Sequence, residues 1–366
     1  MRRFLPRLTL AGLLLLASTA ALADELAPQP MLDLPEVDDA DILRLSPKMA
    51  KYLIKNVHYT KDPRARVMDL VDLIRSPKGL NITYEKTGTK TAIETFESRS
   101  GNCLSFTILF VAMARHLGLN AYFQEVAEVM SWDRRGDIVL RNQHMFAEVE
   151  LMNGHIQVDF LPGTEKRYRI VRRITEYRAQ AHYYNNLAVD LLARDELPLS
   201  LAYFEKANRV DSTFAPAWTN RGVALRRLGD RVEAEKSHQR AIREERSLRV
   251  AQANLASLYQ NLGRHEEAQA LLGQVEEHLA ESPFYRYQQG TRSLRAGNSR
   301  EAIRHLRAAL RKLPREVVFH ERLAEAYAAA GDAEKAAVSL GEAIRWAEGT
   351  EAERLREVLA SISPSG

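Results

Sequence analysis

Residues 91–121 read TAIETFESRSGNCLSFTILFVAMARHLGLNA, and the only cysteine of the 366-residue chain lies inside them. Thr91 to Phe96 reads as a short helix and Arg99-Ser100-Gly101-Asn102 as a tight loop. Leu104 to Leu117 reads as a second helix, closed by Gly118. That second helix is apolar nearly all round, so it should run through the centre of a domain. Cys103 then sits at its first turn, where unsatisfied backbone N–H groups and the positive end of the helix dipole favour a thiolate. A structural cysteine would more naturally sit mid-helix among apolar neighbours.

Upstream, Ser46-Pro47 and Asp62-Pro63 each pair an N-cap residue with proline at the first helical position. They precede two short apolar-patterned stretches, Met49 to Val57 and Val67 to Ile74, which read as helices. Downstream come three strand candidates: Ala121 to Val126, Met145 to Leu151, and His155 to Phe160. Helices followed by an antiparallel sheet give an α+β domain.

A thiolate needs a base, and the base needs a group to hold it. His144 opens the second strand candidate and Asp159 lies near the end of the third. A two-residue turn at Asn153-Gly154 would pair Met152 with His155 and Glu148 with Asp159, which puts His144, Glu148 and Asp159 on one face. The same register leaves His144 about 13 Å along the strand from Glu148 at the usual rise. Glu148 is therefore a second candidate for the orienting carboxylate. His116 and His155 read as surface or capping residues. The histidines of the C-terminal half lack a metal-ligand spacing, so no metal and no cofactor are expected.

From about Tyr177 the pattern changes to a 34-residue repeat. Small residues recur at Ala188, Gly222, Ala256, Gly290 and Ala324, and glycines at 229, 263, 297 and 331. Alanines at 234, 268, 302 and 336 keep the same frame. Small residues at fixed places let paired helices approach closely, and stacking buries the faces that one hairpin leaves open. The first unit is degenerate, with Asp195 and Ser200 where glycine and alanine stand later. This resembles the tetratricopeptide (TPR) pattern, with Trp218, Tyr259, Tyr327 and Pro314 at its characteristic positions. The resemblance implies an all-α solenoid whose groove binds a protein or peptide.

The N-terminus carries Arg2, Arg3 and Arg7, an apolar run from Leu8 to Leu22, and Ala21-Leu22-Ala23. It reads as a cleavable secretory signal over 1–23, which implies a periplasmic or secreted protein with no stable membrane insertion after cleavage. Pro28, Pro30 and Pro35 among acidic residues mark 24–41 as an extended lead-in. Residues 42–175 are then the α+β domain and 176–362 the repeat array. The formal charge is +4, but three arginines lie in the signal, 24–175 holds 21 basic and 21 acidic residues, and 176–366 holds 28 and 27. Near-neutrality of the remainder argues against a nucleic-acid function.

The nucleophile segment 91–121, Gln143-His144-Met145-Phe146-Ala147-Glu148-Val149 and Gln157-Val158-Asp159-Phe160 together resemble the bacterial transglutaminase-like superfamily. That resemblance implies a papain-like fold with Cys103 as nucleophile, His144 as base and Asp159 as orienting carboxylate. The family's oxyanion donor is usually an upstream aromatic or amide side chain. No such residue stands out here, which leaves the Cys103 backbone N–H. The expected activity is a cysteine peptidase or amidase acting through a thioester. A crosslinking transglutaminase with the same triad and an inactive envelope scaffold are the alternatives.

Overall fold

The computed structural model describes residues 39–57, 62–135, 138–161, 168, 170–279, 282–347 and 349–362. The signal and most of the lead-in lie outside the described residues. A 3-10 turn at Asp39–Asp41 precedes α1 (Pro47–Asn56) and α2 (Pro63–Arg75), capped by the side chains of Ser46 and Asp62 as their sequences demand. β1 (Thr83–Tyr84) follows, then α3 (Ala92–Ser98), whose Thr91 and Glu94 form a reciprocal capping box. Arg99 turns the chain in the left-handed region at φ 53°, and β2 (Ser100–Gly101) pairs in parallel with β1. This two-stranded ladder replaces the expected tight loop, and a pair so short leaves no periodic trace in the sequence.

α4 (Cys103–His116) is buried from Leu104 through Ala114, in line with its all-round apolar pattern. Four antiparallel strands follow: β3 (Asn120–Arg135), β4 (Ile138–Leu151), β5 (Gly154–Val158) and β6 (Val171–Ile174), in sheet order β5-β4-β3-β6. The β3–β4 hairpin is longer than the apolar alternation suggested, and its register shifts between Val126 and Ser131. His144, expected at a strand opening, therefore lies within β4.

The pairing of β4 with β5 corrects the expected register. Leu151 pairs with Gly154 and Glu148 with Gln157, not Met152 with His155 and Glu148 with Asp159. Gly154, at φ 113°, is the first residue of β5 and not the second turn residue. The slip is two residues, so every side chain keeps its face. Asp159 moves to the level of Phe146, just past the strand end and two residues from His144.

Eleven helices complete the described chain. They form five hairpins: α5 (Glu176–Ala193) with α6 (Leu197–Val210), α7 (Ala215–Leu228) with α8 (Arg231–Glu244), α9 (Arg249–Asn261) with α10 (His265–Leu279), α11 (Pro283–Arg295) with α12 (Ser299–Lys312), and α13 (Val317–Ala329) with α14 (Ala333–Trp346). α15 (Gly349–Ile362) packs on the last pair through Leu355. Glycines 229, 263, 297 and 331 sit between paired helices at φ between 75° and 90°, a conformation that costs a side chain energy. In the degenerate first unit Asp195 adopts the same left-handed turn at φ 61°. Ser200, where later units carry alanine, is fully buried and donates its hydroxyl to the Ala188 carbonyl at 2.8 Å.

Candidate active site

The site is assembled at the first turn of α4. Asn102 is its N-cap: Oδ1 accepts the Ser105 backbone N–H at 3.0 Å and the Ser105 hydroxyl at 3.1 Å. Its amide nitrogen donates to Thr89 Oγ1 at 2.7 Å. Gly101 is needed here, because a Cβ at that position would stand 2.6 Å from the Ser105 Cβ. Cys103 is thereby fixed as the first helical residue, partly exposed while Leu104 through Ala114 behind it are buried. The Thr107 hydroxyl bonds the Cys103 carbonyl at 2.7 Å and the Met145 carbonyl at 3.3 Å, tying α4 to the strand that carries the histidine.

Cys103, His144 and Asp159, separated by up to 56 positions in sequence, come together. His144 is 2% exposed, and its Nε2 lies 2.8 Å from Asp159 Oδ1. Its side chain also hydrogen-bonds Cys103, for which Nδ1 remains. Burial opposes the imidazolium, but bonds to Asp159 and Cys103 and their charges outweigh it and push His144 up to about 9. Asp159 is opposed by its own burial. The His144 bond and charge, the Tyr168 hydroxyl and the Leu161 N–H prevail, holding its carboxyl below the usual carboxylate range. Glu148 is not the orienting group. It bonds the Tyr122 hydroxyl, with Gln157 Nε2 at 3.5 Å.

Residues 48–160 match the family model of the transglutaminase-like superfamily, and residues 251–277 and 287–352 match models of the tetratricopeptide repeat. The chain carries a transglutaminase-like core followed by tetratricopeptide repeats. In a curated relative, the Superkiller protein 3 of Schizosaccharomyces pombe (strain 972), the similarity is 29% identity over 161 residues. It spans 42% of this chain and only 12% of that protein. Among solved structures, the APC/C hetero-tetramer Cut9-Hcn1 is 17% identical at a TM-score of 0.40, covering 50% of this chain and 36% of that one. Pseudomonas aeruginosa pilF is 16% identical at a TM-score of 0.41, covering 52% and 95%.

Three further side chains surround the site without having stood out in the sequence. Tyr168 donates to Asp159 Oδ2 at 2.5 Å, and its ring lies 5.5 Å from both His144 and Phe146. Arg75 donates to the Asp159 carbonyl at 2.7 Å and covers the Phe160 ring, which fixes the chain just beyond β5. Tyr84, held on β1 opposite Gly101, places its hydroxyl at the Cys103 backbone N–H. Its burial, and then the charges of Cys103 and Asp159, push the phenol up to about 12, so it stays a proton donor at any working pH.

Proposed function

We propose that the transglutaminase-like core is a cysteine hydrolase, a peptidase or amidase, acting on a protein or peptide recruited by the repeat array. The observation that carries this reading is the position of His144, bonded on one side to Asp159 at 2.8 Å and on the other to Cys103. In this reading the Cys103 sulfur attacks a carboxamide carbon, and the carbonyl electrons move onto oxygen. The Cys103 N–H and the Tyr84 hydroxyl stabilise that oxyanion. Collapse breaks the C–N bond, and His144 delivers its proton to the departing amine. Water then attacks the thioester, giving a proton to His144, and the thiolate is released. Asp159 holds the imidazole and remains ionised throughout.

The array supports recruitment because stacked hairpins create an extended inner surface of the kind used for protein interaction. Reading residues 1–23 as an export signal supports a periplasmic or extracellular setting for the reaction. No helix among the described residues is long and apolar enough to cross a membrane. The test is a trapping experiment: mature protein is incubated with envelope extract, and species bound covalently to Cys103 are identified by mass spectrometry. Peptides held as thioesters on wild type and absent from His144→Ala are expected, with a free carboxylate as product. An isopeptide product would move the reading to crosslinking. No adduct, together with full complementation of a deletion strain by Cys103→Ala, would leave a scaffold.

A further inference from the structure

The first helix of the repeat array departs from the repeat at one place that matters. Positions 34, 68, 102 and 136 residues after Asp190 are Ala224, Leu258, Arg292 and Ala326, of which the alanines and the leucine are fully buried or nearly so and Arg292 is exposed. In three of the four later units the slot is apolar and enclosed. In the first unit no hairpin precedes, and the carboxylate of Asp190 reaches into the transglutaminase-like core, where Oδ2 accepts the Gly88 backbone N–H at 3.0 Å. Gly88 turns in the left-handed region at φ 75°, and the next residues lead directly to the nucleophile. Thr89 Oγ1 accepts from Asn102 Nδ2 at 2.7 Å, and the Lys90 backbone N–H donates to Ser105 Oγ at 2.9 Å. Asn102 and Ser105 are the cap and the third residue of the Cys103 helix.

Further ties fix the same helix against the core. The Arg115 guanidinium of α4 pairs with Glu176, and His182, which is 5% exposed, sits 3.6 Å from Glu125 on β3. Glu125 is paired across the ladder with Met145, the neighbour of His144. α5 therefore lies against β3, the neighbour of the strand that carries the base, and reaches the turn that carries the nucleophile through residues 88–90.

We propose that Asp190 is a positioning residue for Cys103, strapping the 88–90 loop onto the N-cap of α4 so that the repeat array sets the reactivity of the thiol. This rests on the reading of Cys103 as the nucleophile. A carboxylate on a backbone N–H is a charge-assisted bond. Its loss frees Thr89, and with it the amide that holds Asn102 in capping orientation. Coupling of this kind requires no movement of the array, only that α5 stay docked.

The test uses the full mature chain and two readouts, iodoacetamide alkylation of Cys103 and amide hydrogen exchange. In Asp190→Ala, alkylation is expected to slow about three- to tenfold, the range that loss of one cap or charged hydrogen bond gives. The Gly88 and Ser105 amides should exchange faster. Asp190→Asn keeps an oxygen that accepts the Gly88 N–H and should recover most of both. Thr89→Val cuts the chain beyond Gly88 and should slow alkylation without touching the repeats, which covers the case of an Ala variant that fails to fold. Unchanged Ser105 exchange and alkylation in folded Asp190→Ala would overturn the proposal, as would an Asn variant as slow as Ala. If wild-type Cys103 reacts no faster than a free thiol, the nucleophile reading falls, and Ser105 exchange alone still decides whether the strap exists.

Discussion

Nε2 of His144 lies 2.8 Å from Oδ1 of Asp159 although β5 ends one residue before the aspartate. The contact depends on the Leu151–Gly154 pairing, which slides β5 two residues along β4 from the register a simple Asn-Gly turn would give. In that simpler register the carboxylate would face Glu148, about 13 Å of strand from the imidazole. The Leu161 N–H at 2.9 Å, the Tyr168 hydroxyl and the Arg75 guanidinium then hold the aspartate and its backbone beyond the end of the ladder.

The first prediction concerns the alkaline limb of turnover. His144 must be protonated to release the amine, and its surroundings hold it up to about 9. Turnover should therefore persist to about that pH and fall above it. Asp159→Asn removes the carboxylate charge that favours the imidazolium, so the limb should move down by roughly one to two pH units, with a large drop in kcat. An unmoved limb would show that a different group controls it.

Tyr84→Phe separates the oxyanion from the nucleophile. The phenol touches the Cys103 N–H but neither His144 nor its bond to Asp159. Loss of one preorganised donor typically costs about 100-fold in kcat. Cys103 alkylation, which forms no oxyanion, should change less than about threefold by the same logic. Equal losses in both readouts would mean that Tyr84 shapes the thiol and does not stabilise the oxyanion.

The sequence made the triad legible because each member sits in a segment with its own pattern: a helix start for Cys103 and alternating strands for His144 and Asp159. Tyr84 and Tyr168 were hidden for different reasons. Tyr84 belongs to a two-residue strand whose partner, Ser100–Gly101, looks like loop, so position and not periodicity gives it its role. Tyr168 lies between a basic run and β6, with no periodic pattern of its own, and only the fold brings its hydroxyl to Asp159. The repeats were legible for the opposite reason, since one contact geometry recurs every 34 residues and writes the same small residues each time. Asp190 stands outside that pattern and spends its carboxylate on the Gly88 N–H of the preceding domain.

Asp195 offers a test of the repeat turn. It takes φ 61°, where four later units use glycine, and a side chain in that region is strained. Its carboxylate is 79% exposed and lies 3.6 Å from Arg227, a pair too solvated to offset much. Asp195→Gly should therefore stabilise the chain by a few tenths to about 1 kcal/mol, read as a higher midpoint in urea. A lower midpoint would mean that the Arg227 pair outweighs the backbone strain.

His238 predicts an acid-labile second repeat. It is fully buried on α8 in the slot that Phe204, Leu272, Leu306 and Leu340 occupy in the other units. Neither ring nitrogen has a hydrogen-bond partner, and the ring lies so close to Gly222 that an added Cβ there would be 2.5 Å from Cε1. Burial, with a smaller effect from Arg226, pushes the imidazole down to about 4. The unfolded chain therefore binds a proton that the folded chain refuses between roughly pH 6.5 and 4, so stability falls as pH falls through that window. The loss approaches about 3 kcal/mol at its acid end, taking 1.36 kcal/mol per unit as an upper bound. His238→Leu removes the titration and two unsatisfied nitrogens while keeping an apolar fill that three other repeats already use. Urea midpoints at pH 7 and pH 4.5 should converge in the variant and diverge in wild type. A pH dependence identical in the two proteins would place the acid sensitivity elsewhere.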